Sequence, residues 1–402
     1  MRWWPLARRR RALPLPSEDL LVTEERLRLA AADVFFVRER QIRGPVVMFH
    51  GDLEVPPAGA LDALTARFSP LGYTPVIKRE GDDVVVQAWP AVETMQPPRH
   101  RRALVLFALT LISTFLAGAY YVGSPTFDRF GALPFPAWAL GGFPFAVTLL
   151  SILGVHELGH YFTARHHRAS VSLPYFLPLP PIPIPIGWHV LGWLPFIPIP
   201  AVWVGLPTFG TLGAIIRMRS LVRDRNAMFD IAAAGPLAGL CVAIPALVLG
   251  LHWSHVVPGD AAHRFGGFGH SLLTQLFVYL QFGSTSGLSV MTHPVADAAW
   301  VGCFVTALNL IPVGQLDGGR IVYALSSRRH RVFGQAAWIV LIALGLYTHS
   351  PNWFAWAALI FFLVGFDHSP PANDMVPLTL WRRLLGVVCL VFVVLLIPPI
   401  PV

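Results

Sequence analysis

The sequence predicts a polytopic α-helical membrane protein with a membrane-associated, Pro-rich β-like hairpin and a small N-terminal α+β soluble domain. Three observations predict it. The 402 residues are 54% hydrophobic and only 13% charged, and the mean hydropathy is positive, which is too apolar for an ordinary soluble domain. The apolar character is uneven, since every Glu except Glu157 lies before residue 102 and the long apolar runs follow residue 103. Arg clusters recur at the ends of those runs, which is the pattern of topology signals rather than of one basic face.

The net charge is +8, and Lys78 is the only Lys. Arg placed as span punctuation argues against a nucleic-acid partner, and Arg8 to Arg11 suit contact with anionic lipid head groups of a bilayer. Cys241, Cys303 and Cys389 all sit inside apolar runs, where they read as small buried hydrophobes and not as a disulfide framework or a CxxC site. Met1 to Pro14 is basic without the apolar stretch of a secretory signal, so the first membrane anchor is expected later.

Residues 1–102 read as the soluble domain and its basic linker. A helix is expected from Ser17 to about Ala32, a strand over Val46–Phe49, a helix near Ala58–Phe68, and two strands around the turn Gly81-Asp82-Asp83. Nothing in the domain groups as a catalytic set, so a docking or regulatory role is expected. Its linker, Pro97-Pro98-Arg99-His100-Arg101-Arg102, puts the domain on the cytoplasmic side by the positive-inside rule.

Residues 103–402 read as the membrane body, with a core of 103–327 and additional helices over 328–402. Ala103–Val122 has about the length a helix needs to span the hydrocarbon core, and Ala137–Arg165 returns to a second basic end. Further spans are expected over Met228–Leu251, Pro294–Pro312, Val332–Thr348, Trp353–Phe366 and Arg383–Ile397; Ser271–Phe282 is too short to assign. Leu173–Pro207 is apolar but carries Pro174, Pro178, Pro180, Pro181, Pro183, Pro185, Pro195, Pro198 and Pro200, which exclude a helix because each removes an amide donor. A hairpin turning between Gly187 and Gly192 is expected, either plugging the body or handling a ligand. Gly235-Pro236-Leu237-Ala238-Gly239 is a GxxxG pattern, which lets helices approach closely.

The chemistry concentrates in His156-Glu157-Leu158-Gly159-His160. Two His four apart share one helical face and suit one zinc ion, while the Glu between them is placed to act as general base. Glu157 is also an ionisable group within an apolar helix, which costs a few kcal/mol and is by default functional. A hydrolytic zinc site needs a third protein ligand at the same depth. Asp297 falls near the outer end of its span and Asp230 at the start of another, whereas Asp317 follows the Pro294–Pro312 span at the end where the two His lie. Asp317 is therefore the expected ligand. Gly318-Gly319 after it are expected to break the helix and let the backbone approach the metal.

Together, His156-Glu157-Leu158-Gly159-His160, Ala234-Gly235-Pro236-Leu237-Ala238-Gly239 and Asn309-Leu310-Ile311-Pro312-Val313-Gly314-Gln315-Leu316-Asp317-Gly318-Gly319 resemble the motifs of the site-2 protease family of intramembrane zinc metalloproteases. The likeness covers about residues 103–327. It implies that His156, His160 and Asp317 bind Zn2+, that Glu157 is the base, and that Asn309 holds substrate backbone. The absence of a PDZ-like insert, together with the soluble N-terminal domain, resembles the branch shared by cyanobacteria, other bacteria and plastids. Arg320 stands where many relatives have His, which changes a neighbour of the site but no ligand.

The expected activity is hydrolysis of peptide bonds in transmembrane segments of protein substrates, in a bacterial inner membrane with the active site open to the cytoplasm. Two rivals remain at this stage. A proteolytically inactive scaffold of the same fold would normally lack the base or a ligand, and this chain keeps all four. A metal transporter would carry further polar residues at successive depths of several spans, and few are found.

Overall fold

In a computed structural model, the described residues are 17–81, 83–90, 100–123, 135–179, 209–258, 269–284 and 288–398. The chain divides into two compact units. One comprises residues 1–97 with 219–228 and 369–380, and the other comprises 98–218, 229–368 and 381–402. The sequence boundary near residue 102 leaves out the two later segments that the first unit takes in.

The first unit is built from α1 (Ser17–Ala31), β1 (Phe35–Arg43), β2 (Val46–Leu53), α2 (Pro57–Phe68), β3 (Tyr73–Glu80) and β4 (Asp83–Pro90). The strands form one antiparallel sheet in the order β1-β2-β4-β3. Alternation along β2 sends Val47 and Phe49 into a core with Leu27, Phe35, Leu64, Phe68, Ile77 and Val86, and Val46 and Met48 into a smaller cluster with Val85. Strand β1 is absent from the sequence-based expectation because Arg38-Glu39-Arg40 breaks its alternation. It is an edge strand with a bulge between Val37 and Glu39, and its charges stay exposed, Arg38 pairing with Asp52 at 3.0 Å.

The opposite edge, β3, is closed by a segment far away in sequence. Ile77 N–H donates to Ala372 O (2.7 Å) and Asp374 N–H to Ile77 O (2.9 Å). On its other side the same segment donates from Ala372 to Val222 O (2.8 Å) and from Asn373 to Arg223 O (2.9 Å). Asn373 is 1% exposed, and its amide donates to Pro57 O (2.6 Å) while its carbonyl oxygen accepts from Met375 N–H (3.0 Å).

The second unit contains α3 (His100–Gly123), α4 (Phe135–His166), β5 (Tyr175–Pro178), β6 (Thr211–Ile215), α5 (Arg225–His252), β7 (His255–Pro258), α6 (Leu272–Phe282), β8 (Leu288–Met291), α7 (Pro294–Leu310), α8 (Asp317–Leu325), α9 (His330–Thr348), α10 (Pro351–Leu359) with a π turn over Ile360–Val364, and α11 (Leu380–Leu396). Among the described residues four helices, α3, α4, α5 and α9, are long and apolar enough to cross a membrane. Helix α7 is buried on opposite sides. Ala298, Val301, Phe304 and Leu308 join one apolar cluster, while Ala296, Ala299, Cys303 and Ala307 join the other. Helix α6, too short to assign from sequence, is capped by Ser271, whose hydroxyl accepts from Thr274 N–H at 3.2 Å.

Strands β5 and β6 pair antiparallel, and Ser113 of α3 donates to Gly210 O at 2.6 Å, so the start of β6 is tied to the first long helix. Residues 180–208, which hold the expected turn at Gly187 to Gly192 and most of the prolines, lie outside the described residues.

The Asn373 contacts generate a prediction. Asn373→Ala removes two hydrogen bonds from a buried site, the one to Pro57 O and the one from Met375 N–H, so stability should fall by about 1–3 kcal/mol. Limited proteolysis of the full chain should then cut the N-terminal unit sooner than in wild type, and an unchanged cleavage rate would deny that this segment holds the sheet edge.

Candidate metal centre

Helix α4 is apolar almost throughout, and the polar side chains near its C-terminal end project together because residues four apart share a face. His156 is 2% exposed and Glu157 7%. His160 Nε2 lies 3.2 Å from His156 Nε2 and 3.2 Å from Asp317 Oδ2, and His156 Nε2 lies 3.5 Å from the same carboxylate oxygen. Ligand atoms held at roughly 2.0–2.1 Å by a tetrahedral zinc ion stand roughly 3.3 Å apart, so the three atoms have the spacing of a tetrahedral face. His160 Nδ1 is 2.7 Å from Ile231 O, and because a carbonyl oxygen can only accept, Nδ1 carries the proton. The Nε2 lone pair is thereby left facing a second imidazole nitrogen and a carboxylate, a grouping that a cation satisfies.

Asp317 opens α8. Gly318 and Gly319 do not break a helix as the sequence reading expects; they form its first turn. A Cβ on Gly318 would collide with the Leu310 carbonyl, and one on Gly319 with the Gly314 and Val313 carbonyls. The pair lets α8 fold back tightly onto the end of α7, which carries Asp317 to the His side chains. A carboxylate at a helix N-terminus is also favoured by the helix dipole.

The other carboxylates considered from sequence lie elsewhere. Asp230 is held by Arg382 and His167, and Asp297 accepts from Thr292. Asn309 Nδ2 lies 3.5 Å from His156 Nε2. A cavity of about 210 Å³ opens onto the three donors, bordered by Glu157, Asn309, Gln315 and Arg320 and by an apolar wall of Ala214, Ile215, Ile216 and Met218 from β6 and the residues after it.

Two features escape the sequence reading. Gly235 and Gly239 of α5 stand opposite His160 and His156, and a Cβ on Gly235 would collide with the His160 ring, while one on Gly239 would lie 3.2 Å from His156 Cβ. The GxxxG pattern therefore admits imidazoles as well as a backbone, since the Gly235 Cβ position is 2.1 Å from His160 Nε2. Gly159 makes the reciprocal approach, its Cβ position being 2.7 Å from Ala234 O. The second feature is the Ile231 carbonyl, which no side-chain motif could announce. The signal available for the first was the matched spacing, two His four apart and two Gly four apart.

The family model described as Peptidase family M50 matches residues 144–348, about half of the chain, including His156, Glu157, His160, Asn309 and Asp317. The chain belongs to peptidase family M50. Among curated relatives, this M50 chain is 27% identical over 378 residues to "Probable zinc metalloprotease EGY2, chloroplastic" of Arabidopsis thaliana, covering 90% of the chain and 62% of the relative. It is 30% identical over 266 residues to "Probable zinc metalloprotease EGY1, chloroplastic" of Arabidopsis thaliana, covering 64% and 43%. Against the EGY1 protein of Oryza sativa subsp. japonica the figures are 30% over 305 residues, with 72% and 45% covered. The M50 chain thus spans between 43% and 62% of the length of these relatives. No solved structure matches it.

The opposed Gly and His pairs predict that Gly235→Ala is as damaging as loss of a ligand. Metal analysis of the purified protein should show bound zinc reduced in Gly235→Ala to the level of His160→Ala or Asp317→Ala, with a milder loss in Gly239→Ala. Full zinc in Gly235→Ala would show that α5 does not abut the site as described.

Proposed function

We propose that the chain is an intramembrane zinc metalloprotease that hydrolyses peptide bonds in transmembrane segments of protein substrates. The observation that carries the reading is the set of three donor atoms 3.2–3.5 Å apart beside a buried Glu, at the edge of a cavity within an apolar helical unit. The relatives' printed names, zinc metalloproteases, support the same chemistry. In this reading His156, His160 and Asp317 hold Zn2+, and a bound zinc ion supplies Lewis acidity that polarises a carbonyl and makes hydroxide available near neutral pH.

The chain's own residues supply the rest. Glu157, next to His156 on the same helix, takes the proton from the attacking water and returns it to the leaving amine. Asn309 offers its amide to a substrate carbonyl at the cavity. The apolar wall of Ala214, Ile215, Ile216 and Met218 limits water to the reacting position and gives an unwound substrate segment a surface to lie on. Strand β6, which supplies part of this wall and pairs with β5, is proposed to add a substrate strand by main-chain hydrogen bonds. The soluble domain and the active-site opening are proposed to face the cytoplasm of a bacterial inner membrane, on the strength of Arg at the ends of the apolar runs. All four residues required for hydrolysis are kept, which favours the protease over an inactive scaffold.

Glu157→Gln keeps size and hydrogen bonding but cannot accept the proton. Cleavage of a model transmembrane substrate should fall by at least about 10²-fold with zinc retained. Cleavage at the wild-type rate would remove Glu157 from the mechanism.

A further inference from the structure

Asp230 lies in the second turn of α5, and its carboxylate joins three elements. Arg382 of α11 donates to it twice, from Nε to Oδ1 at 2.6 Å and from Nη2 to Oδ2 at 2.7 Å, and His167, just beyond α4, lies with Nε2 2.9 Å from Oδ2. A two-pronged guanidinium contact fixes orientation as well as distance, and all three side chains are partly buried, at 22–27% exposed. The next residue is Ile231, whose carbonyl orients His160 through Nδ1 at 2.7 Å.

We infer that Asp230 is a positioning residue for the metal centre: with Arg382 and His167 it fixes α5 against α4 and α11, and so fixes the Ile231 carbonyl that orients His160. The inference rests on the reading that His156, His160 and Asp317 hold a metal. The path is short, because the carboxylate and the carbonyl belong to adjacent residues. The tolerance is also small. One turn beyond Ile231, Gly235 stands so close to the His160 ring that even a Cβ does not fit, so α5 cannot slide without striking the imidazole or stretching the Ile231 contact. Partners that orient a ligand from behind are typically worth 10–100-fold in metal affinity or activity, and a group acting one residue further back belongs at the lower end.

A merely structural role for Asp230 predicts something different: lost stability with an unchanged metal site in the molecules that remain folded. Asp297 supplies the matched control. It is hydrogen-bonded, to Thr292, and more deeply buried than Asp230, but at 1.5 Å per residue it sits roughly 18 Å along α7 from Asn309 and the metal site.

The test uses the full-length chain in detergent. Zinc affinity is measured by competition with a chelator, and the ligand-field spectrum is recorded after substitution with cobalt(II). Asp230→Ala and Arg382→Leu should each weaken zinc about tenfold and alter the cobalt bands, whereas Asp297→Ala should leave both at wild type even if it lowers thermal stability. Wild-type affinity and spectrum in folded Asp230→Ala, or the same change in Asp297→Ala, would overturn the inference while leaving the metal reading intact. A wild-type protein that binds no metal would overturn both. Should Asp230→Ala fail to fold, Asp230→Asn and Arg382→Leu are read against the same two outcomes.

Discussion

The site depends on how closely α4 and α5 approach each other. His156 and His160 lie one turn apart on α4, and Gly239 and Gly235 lie one turn apart on α5 in the opposite order, so each imidazole occupies the volume a side chain would otherwise fill. Ordinary helix packing holds axes 8–10 Å apart with side chains between them. At Gly235 and Gly239 the imidazoles of α4 take the space that an α5 side chain would fill. The Ile231 carbonyl, within the same stretch of α5, is thereby brought into hydrogen-bonding range of His160.

The second constraint is the cost of polar groups in an apolar unit. A buried hydroxyl or amide without a partner costs about 1–3 kcal/mol, and an ionised group more. Several described polar groups in the unit are answered by backbone or by opposite charge. Ser113 donates to Gly210, Asp230 is answered by Arg382 and His167, and Asp317 lies against both imidazoles. The two Nε2 atoms of His156 and His160, 3.2 Å apart, converge on one Asp317 oxygen with the spacing that a metal ion's ligands have. A divalent cation would fit that set, so the burial and the motif both point to the proposed metal site.

Much of this was legible in the sequence, for physical reasons. Two His four apart with a Glu between them specify a face of a helix. The single Glu after residue 93 and the shortage of Asp in the apolar body leave few candidate ligands, so depth alone narrows the third to Asp317. Long apolar runs bounded by Arg are also readable, and α3, α4, α5 and α9 fall on such runs. Strand β1 was not readable, because an edge strand carries charges that hide its alternation. The clip of 372–374 onto β3 was equally hidden, since main-chain pairing over some 300 residues leaves no local pattern. Gly318 and Gly319 were misread because glycine marks either a break or a close approach, and only the position of the Leu310 and Gly314 carbonyls decides between them. The Ile231 carbonyl has no sequence signature, as every residue has one.

The central claim is that His156, His160 and Asp317 converge on one ion, and X-ray absorption at the zinc edge of the purified full-length chain tests it most directly. The account predicts a first shell of nitrogen and oxygen only, at about 2.0–2.2 Å, with the outer-shell scattering of two imidazole rings, and loss of one ring's contribution in His160→Ala. A first shell containing sulfur, or an imidazole count unchanged in His160→Ala, would contradict it.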